Sequence, residues 1–296
     1  MGLFPVKVLL ATDGSEDATL ATKAATDIAK GTSSELHVVR AWHSVPSTRL
    51  ESYVRTQLKQ EAQESLTEQV RRIEADGGDV AQVHLKEGSA VEEILGLAEE
   101  IGAGLIVIGS RGLGPVKRLV MGSVSEGVVH HSSYPVLVMR GGQEAWPLKR
   151  VIVGDDGSKA AEGAGELAAS IGKLFGAQGL LVRVYPQLPE VDLEGRRLNA
   201  RMTDDELRRE ESKLEERAKN IERSLGSRPK IRVAVGDVAA ELLEAAEEEN
   251  APEKVLIAVG SRGLGTIQRM RLGSVSTKVL YAAKGPVLIY PHPQSR

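Results

Sequence analysis

Short apolar runs separated by amphipathic stretches recur along the whole chain. Residues 6–11, 36–41 and 105–108 are dominated by Val, Leu, Ile and Ala, and 136–139 adds another such run after Pro135. Runs of this length between turn residues predict strands. Where the run is unbroken rather than alternating, it predicts burial on both faces. A weaker run at 81–85 predicts an edge strand. Between the strands, residues 18–29, 52–75, 91–100 and 123–131 have helical patterning. In the long helix Val54, Leu58, Leu66, Val70 and Ile73 fall roughly on one face. Ser89 stands where it can cap the helix over 91–100. Strands alternating with helices predict an α/β fold with a parallel sheet covered on both sides.

The same order then runs a second time. Val8-Leu9-Leu10-Ala11-Thr12-Asp13-Gly14-Ser15 answers Val151-Ile152-Val153-Gly154-Asp155-Asp156-Gly157-Ser158. Val39-Arg40-Ala41 answers Val182-Arg183-Val184, and Pro135-Val136-Leu137-Val138 answers Pro286-Val287-Leu288-Ile289. The offset lengthens after the second strand, so the second copy carries a short insertion there. The repeat is a whole domain rather than a solenoid unit. It predicts two tandem domains, 1–143 and 148–296, joined by the turn-like Gly141-Gly142-Gln143-Glu144-Ala145-Trp146-Pro147.

Composition narrows the function. With 41% hydrophobic and 27% charged residues the chain reads as an ordinary globular protein. Aromatics are only 3%, so the cores must be aliphatic. The absence of cysteine excludes disulfides, thiolate metal sites and cysteine nucleophiles. Residues 1–12 turn polar too soon for a signal peptide, and no apolar run reaches membrane-spanning length. The expected location is therefore the cytoplasm. A net charge of −3 gives no global reason to bind nucleic acid or an anionic membrane.

The chemistry concentrates in two glycine loops. Gly109-Ser110-Arg111-Gly112 leads on to Gly122-Ser123-Val124-Ser125, and Gly260-Ser261-Arg262-Gly263 leads on to Gly273-Ser274-Val275-Ser276. Both read G-x2-G-x9-G-S after an apolar strand and before a helix. Glycine lets a backbone approach a ligand closely, and the first N–H groups of a helix point at an anion. The spacing fits neither the P-loop nor the dinucleotide fingerprint, because no Lys-Ser or Lys-Thr follows the glycines and the first turns read Asp-Gly-Ser.

On these residues the chain resembles the universal stress proteins in their tandem form. Nucleotide-binding members carry G-x2-G-x9-G-[ST] after the fourth strand and an Asp after the first. The resemblance implies a five-stranded parallel sheet of order 3-2-1-4-5 in each domain, helices on both faces, and pairing of the halves through their last strands. It implies a stress-response protein that binds ATP, ADP or AMP, with Mg²⁺ an option through the phosphates. Ala11, Thr12 and Asp13 would lie against the adenosine and the backbone of Ala41 against the adenine edge. Gly109, Gly112, Gly122, Ser123, Val124 and Ser125 would surround ribose and phosphates. The matching positions of the second half are Gly154, Asp155, Asp156, Val184, Gly260, Gly263, Gly273, Ser274, Val275 and Ser276.

Plainer readings stand beside these. Asp13 and Asp156 can serve as helix caps, and Lys117, Arg118, Arg269 and Arg271 as solvated helix residues. Arg40 and Arg183 can partner local carboxylates. His130-His131 lacks metal-ligand spacing. A slow ATPase and an interaction scaffold with empty sites stay open as alternatives, as does assembly of two chains. Because Asp155 replaces Thr12 in the second copy, like-charge repulsion predicts weaker triphosphate binding there.

Overall fold

The computed structural model describes residues 4–43, 51–112, 121–185, 189–191, 197–199, 204–262 and 272–292. The chain divides into two compact units, Met1–Pro147 and Leu148–Arg296.

The first unit runs β1 (Lys7–Ala11), α1 (Glu16–Thr32), β2 (Glu35–Trp42), α2 (Glu51–Ala75), β3 (Gln82–Glu87), α3 (Ala90–Ile101), β4 (Leu105–Gly109), α4 (Ser123–His131) and β5 (Val136–Met139). Its strands pair in parallel in the order β3-β2-β1-β4-β5, which is the 3-2-1-4-5 order expected. Right-handed crossovers then put α1 and α2 on one face, α3 and α4 on the other. All of β4 is buried, as its unbroken apolar run requires. Leu9, Leu10 and Ile106 are fully buried, each stabilising the fold by roughly 1.5–3 kcal/mol. The edge strand β3 is half-exposed and pairs with β2.

Local chemistry sets the helix limits. Ser15 caps α1, accepting from the Ala18 N–H, so the helix starts two residues before the apolar periodicity. Ser89 occupies the cap position of α3, but its side chain makes no capping bond. On α2 the buried stripe is Ala62, Leu66, Gln69 and Ile73, while Val54, Leu58 and Val70 are only half-buried. Gln69 tolerates burial because its amide donates to Thr22 Oγ1 at 2.6 Å.

The second unit repeats this plan with β6 (Arg150–Gly154), α5 (Lys159–Lys173), β7 (Gln178–Tyr185), β8 (Pro189–Val191), β9 (Arg197–Asn199), α6 (Asp204–Leu225), β10 (Lys230–Val235), α7 (Val238–Glu247), β11 (Val255–Gly260), α8 (Ser274–Ala282) and β12 (Val287–Tyr290). Its parallel order is β10-β7-β6-β11-β12. The insertion read from the sequence carries a small antiparallel ribbon, β8 with β9. The charged stretch of α6 is solvated on one side and buries Leu214, Ala218, Ile221 and Leu225 on the other.

Candidate functional site

In each unit the chain leaves the first and fourth strands in opposite directions, so their carboxyl ends flank a crevice. The crevice is a cavity of about 500 Å³ in the first unit and about 430 Å³ in the second. These are sizes usual for small-molecule sites.

Ala11, Thr12 and Asp13 enter the first cavity from β1, and Ala41 from β2. Gly109 and Gly112 line it from the glycine loop; Gly122, Ser123, Val124 and Ser125 line it from the start of α4. In the second cavity Gly154, Asp155, Asp156 and Val184 come from the ends of β6 and β7. Gly260 lies at the end of β11, with Gly273, Ser274, Val275 and Ser276 opening α8. Gly263 lies outside the described residues, as do Lys117, Arg118, Arg269 and Arg271.

Strand lengths expose backbone at one end. The last β1–β2 pair is Ala11 with Val39, and Thr12 N–H still reaches Val39 O at 3.0 Å. β2 continues to Trp42, whose carbonyl faces β3 and accepts from Gly88. Backbone groups alternate sides along a strand. Ala41 therefore turns its N–H and C=O toward the β1 side, beyond the point where β1 has ended. Val184 does the same past Gly154, since Asp155 N–H bonds Val182 O and Tyr185 O bonds Gly236.

Helix starts expose donors at the other end. Gly122 and Gly273 are the cap residues of α4 and α8, and neither helix has a side-chain cap. The N–H groups of the first turn, at Ser123 to Ser125 and Ser274 to Ser276, have no intrahelical acceptors. The glycine loops hold these turns in place. Gly122 N–H donates to Ser110 O at 2.8 Å and Gly273 N–H to Ser261 O at 2.7 Å. The hydroxyls of Ser125 and Ser276 donate to Gly109 O at 2.6 Å and Gly260 O at 2.7 Å. Those two side chains thus brace the strand end; what they offer the cavity is backbone N–H.

The glycines have distinct structural reasons. A Cβ on Gly109 would stand 2.7 Å from the Asp17 backbone, so glycine here allows α1 to approach β4. A Cβ on Gly112 would meet Asp13 Oδ2 at 2.4 Å. Asp13 Oδ1 accepts from Ser15 N–H at 3.0 Å, and Asp156 Oδ1 from Ser158 N–H at 2.9 Å. The aspartates shape the turn and the serines cap the helices. Gly14 and Gly157, at φ 81° and 83°, supply the left-handed step between them.

The added carboxylate of the second cavity is paired. Asp155 is 5% exposed, forms an ion pair with Arg183, and has Arg217 Nη2 at 3.5 Å. Its repulsion toward an anion is reduced by these two cations, which Glu210 and Glu162 also share. Burial alone would lower the Arg183 pKa, but the hydrogen bond and charge of Asp155, with Tyr185, raise it above its ordinary value. Arg183 is thus a structural partner. Arg40, at the matching position of the first unit, faces Thr12 where Arg183 has Asp155, and among the described residues its Nε and Nη1 are buried without hydrogen-bond partners. Burial lowers its pKa, against the pull of Asp13.

The sequence reading missed the apolar walls: Val39, Ile94 and Ile108 in the first cavity, Leu242 and Val259 in the second. They sit in ordinary hydrophobic positions of strands and helices, so nothing in the sequence sets them apart from core. His131 Nδ1 donates to Gly127 O at 2.8 Å.

The sequence matches the universal stress protein family over residues 6–140 and again over 147–291. A universal stress protein of Mycobacterium tuberculosis is 32% identical over 190 residues, which cover 63% of this chain. The match spans only 61% of that relative's own length. One from Mycolicibacterium smegmatis is 28% identical over 236 residues, 75% of this chain and 74% of that protein. The crystal structure of a universal stress protein from Archaeoglobus fulgidus superposes with a TM-score of 0.71 at 26% identity, covering 97% of this chain and 98% of that one.

Proposed function

Since the chain belongs to the universal stress protein family, we propose that each of its two cradles binds an adenine nucleotide, and that the protein works as a nucleotide-responsive regulatory module. The observation that carries this reading is one arrangement built twice. A backbone N–H and C=O stand together at Ala41 and at Val184. An uncapped helix start stands at Gly122-Ser123 and at Gly273-Ser274. An apolar slot lies between them.

Each part has a chemical counterpart in the ligand. Adenine offers a ring-nitrogen acceptor beside its amino donor, which a neighbouring backbone N–H and C=O match. The apolar walls suit the faces of the base. Helix N–H groups and the helix dipole favour phosphate. Asp13 and Asp156, which line the two cavities, are the carboxylates available to the ribose hydroxyls. One helix end contributes roughly 0.3–1 kcal/mol at an exposed site, whereas micromolar binding needs about −8 kcal/mol, so all three parts must act together.

Thermal unfolding tests the proposal. A nucleotide at 100 times its dissociation constant adds about 2.7 kcal/mol to stability. ATP, ADP or AMP with magnesium should therefore raise the melting temperature by several degrees. A melting curve unmoved by millimolar amounts of all three refutes the reading. Mass spectrometry of small molecules released from the denatured protein gives an independent check.

A further inference from the structure

The two cradles differ in how the loop arginine is held. In the first unit Arg111 is clamped: its Nε and Nη2 reach the two carboxylate oxygens of Asp17 at 3.0 and 3.2 Å. Ser110 Oγ adds a bond of 2.6 Å to the same carboxylate, which is buried. Asp17 also attracts the nearby Arg140. In the second unit the residue two places after the helix cap is Ala160, which has no acceptor side chain. Ser261 Oγ instead accepts from His292 N–H at 2.9 Å. Arg262 lines the cavity beside Gly273 and Ser274, and its Nε is buried with no partner among the described residues. The first cavity also carries Glu126 on its wall, where the second unit has Thr277, whose hydroxyl donates to Gly273 O.

We propose that Arg262 makes the second cradle selective for phosphate number: it favours nucleoside triphosphates over monophosphates, while the first cradle, with its arginine held by Asp17, discriminates less. This rests on the nucleotide reading above and adds a division of labour to it. The backbone frames match, for Gly109 backs onto Asp17-Ala18 as Gly260 backs onto Ala160-Ala161. The difference therefore lies in side chains. Arg111 also lines its cavity, but Asp17 neutralises its charge and engages two of its five N–H donors, so it gains less from a phosphate. Arg262 lines its cavity with no carboxylate pairing it among the described residues, so its charge is left for a charge-assisted bond to which a second or third phosphate supplies the acceptor.

The test uses the full chain with Gly122→Val, whose Cβ fits in ordinary contact 3.4 Å from Arg111 Cα and Ser110 O, so the loop is kept while the added branch takes up space at the helix start that lines the first cradle. ATP and AMP are titrated calorimetrically at low salt. The expected result is an ATP-over-AMP preference that falls about tenfold in Arg262→Gln and in Ala160→Asp, the latter installing the clamp. Asp17→Ala, in a Gly273→Val background, should raise the preference of the first cradle. If Ala160→Asp does not fold, Arg262→Gln decides alone. Nucleotide binding with an unchanged ratio in Arg262→Gln overturns the selectivity and leaves the nucleotide reading standing. No binding of ATP, ADP or AMP to the unmodified chain overturns both.

Discussion

The buried charge cluster behind the second cradle gives the sharpest stability prediction. Asp155→Thr installs the residue that the first unit carries at Thr12. The Asp155 side chain is 2% exposed, and those of Arg183 and Arg217 are 11% and 18% exposed. Removing one member of a buried pair costs about 3–5 kcal/mol, mostly because the remaining charge is stranded. Here the stranding is partial. Arg183 keeps Glu210 at 3.3 Å, and Arg217 keeps Glu162 at 2.9 Å and Ser158 O at 3.0 Å. Threonine also retains an acceptor for the turn, since Thr12 Oγ1 accepts from Gly14 N–H at 3.4 Å just as Asp155 Oδ1 accepts from Gly157 N–H at 3.2 Å. The loss should therefore sit near the low end, about 3 kcal/mol. For a unit of this size that lowers the melting temperature by roughly 6–12 °C. Urea unfolding of nucleotide-free protein, followed by far-ultraviolet circular dichroism, reads it as an earlier transition for one unit while the other is unmoved. A loss under about 1 kcal/mol would refute the stranded-charge argument. The reciprocal change, Thr12→Asp, should stabilise the first unit by about 1 kcal/mol, because it offers the buried Arg40 Nε and Nη1 a hydrogen-bond acceptor such as Asp155 gives Arg183.

Gly109→Ala should destabilise the first unit by about 1–3 kcal/mol, since the added methyl meets α1 backbone; Gly96→Ala, where the methyl meets nothing within 4 Å, should stabilise α3 by about 0.5–1 kcal/mol, and equal effects in urea unfolding would refute the packing account. Ser125→Ala should cost about 1 kcal/mol and weaken nucleotide binding at the first cradle by loosening Gly109, whereas unchanged affinity would show that the brace is dispensable. The His84 pKa lies below its ordinary 6.5 because burial, then His37 and Lys86, disfavour the charged ring, against the pull of Glu100. The unfolded chain therefore takes up that proton first, so the first unit should lose stability as pH falls through 6.5 toward the lower folded value. His84→Gln should flatten that slope in urea midpoints measured between about pH 7.5 and 5, and an unchanged slope would assign it elsewhere.

The alternation of strand and helix, the duplication, the five-stranded order through its family resemblance, and the loops that meet at the crevice could all be read from the residues alone. These are legible because apolar runs, helical periodicity and glycine–serine helix starts act within a few residues of one another. Reading the Asp of each first turn as a ligand or as a cap was open in the sequence. Only the folded turn shows its carboxylate receiving the Ser15 N–H while Ser15 itself caps the helix. Likewise the sequence displays Asp155 as an added carboxylate, and only the register of β6 beside β7 puts Arg183 against it. Arg111 and Arg262 read identically in their loops. Their difference comes from Asp17 and Ala160, far away in the chain and brought close only where a helix packs on a strand. Periodicity is a local property, whereas the choice of ion-pair partner is decided by distances across the sheet, and those exist only once the chain has folded.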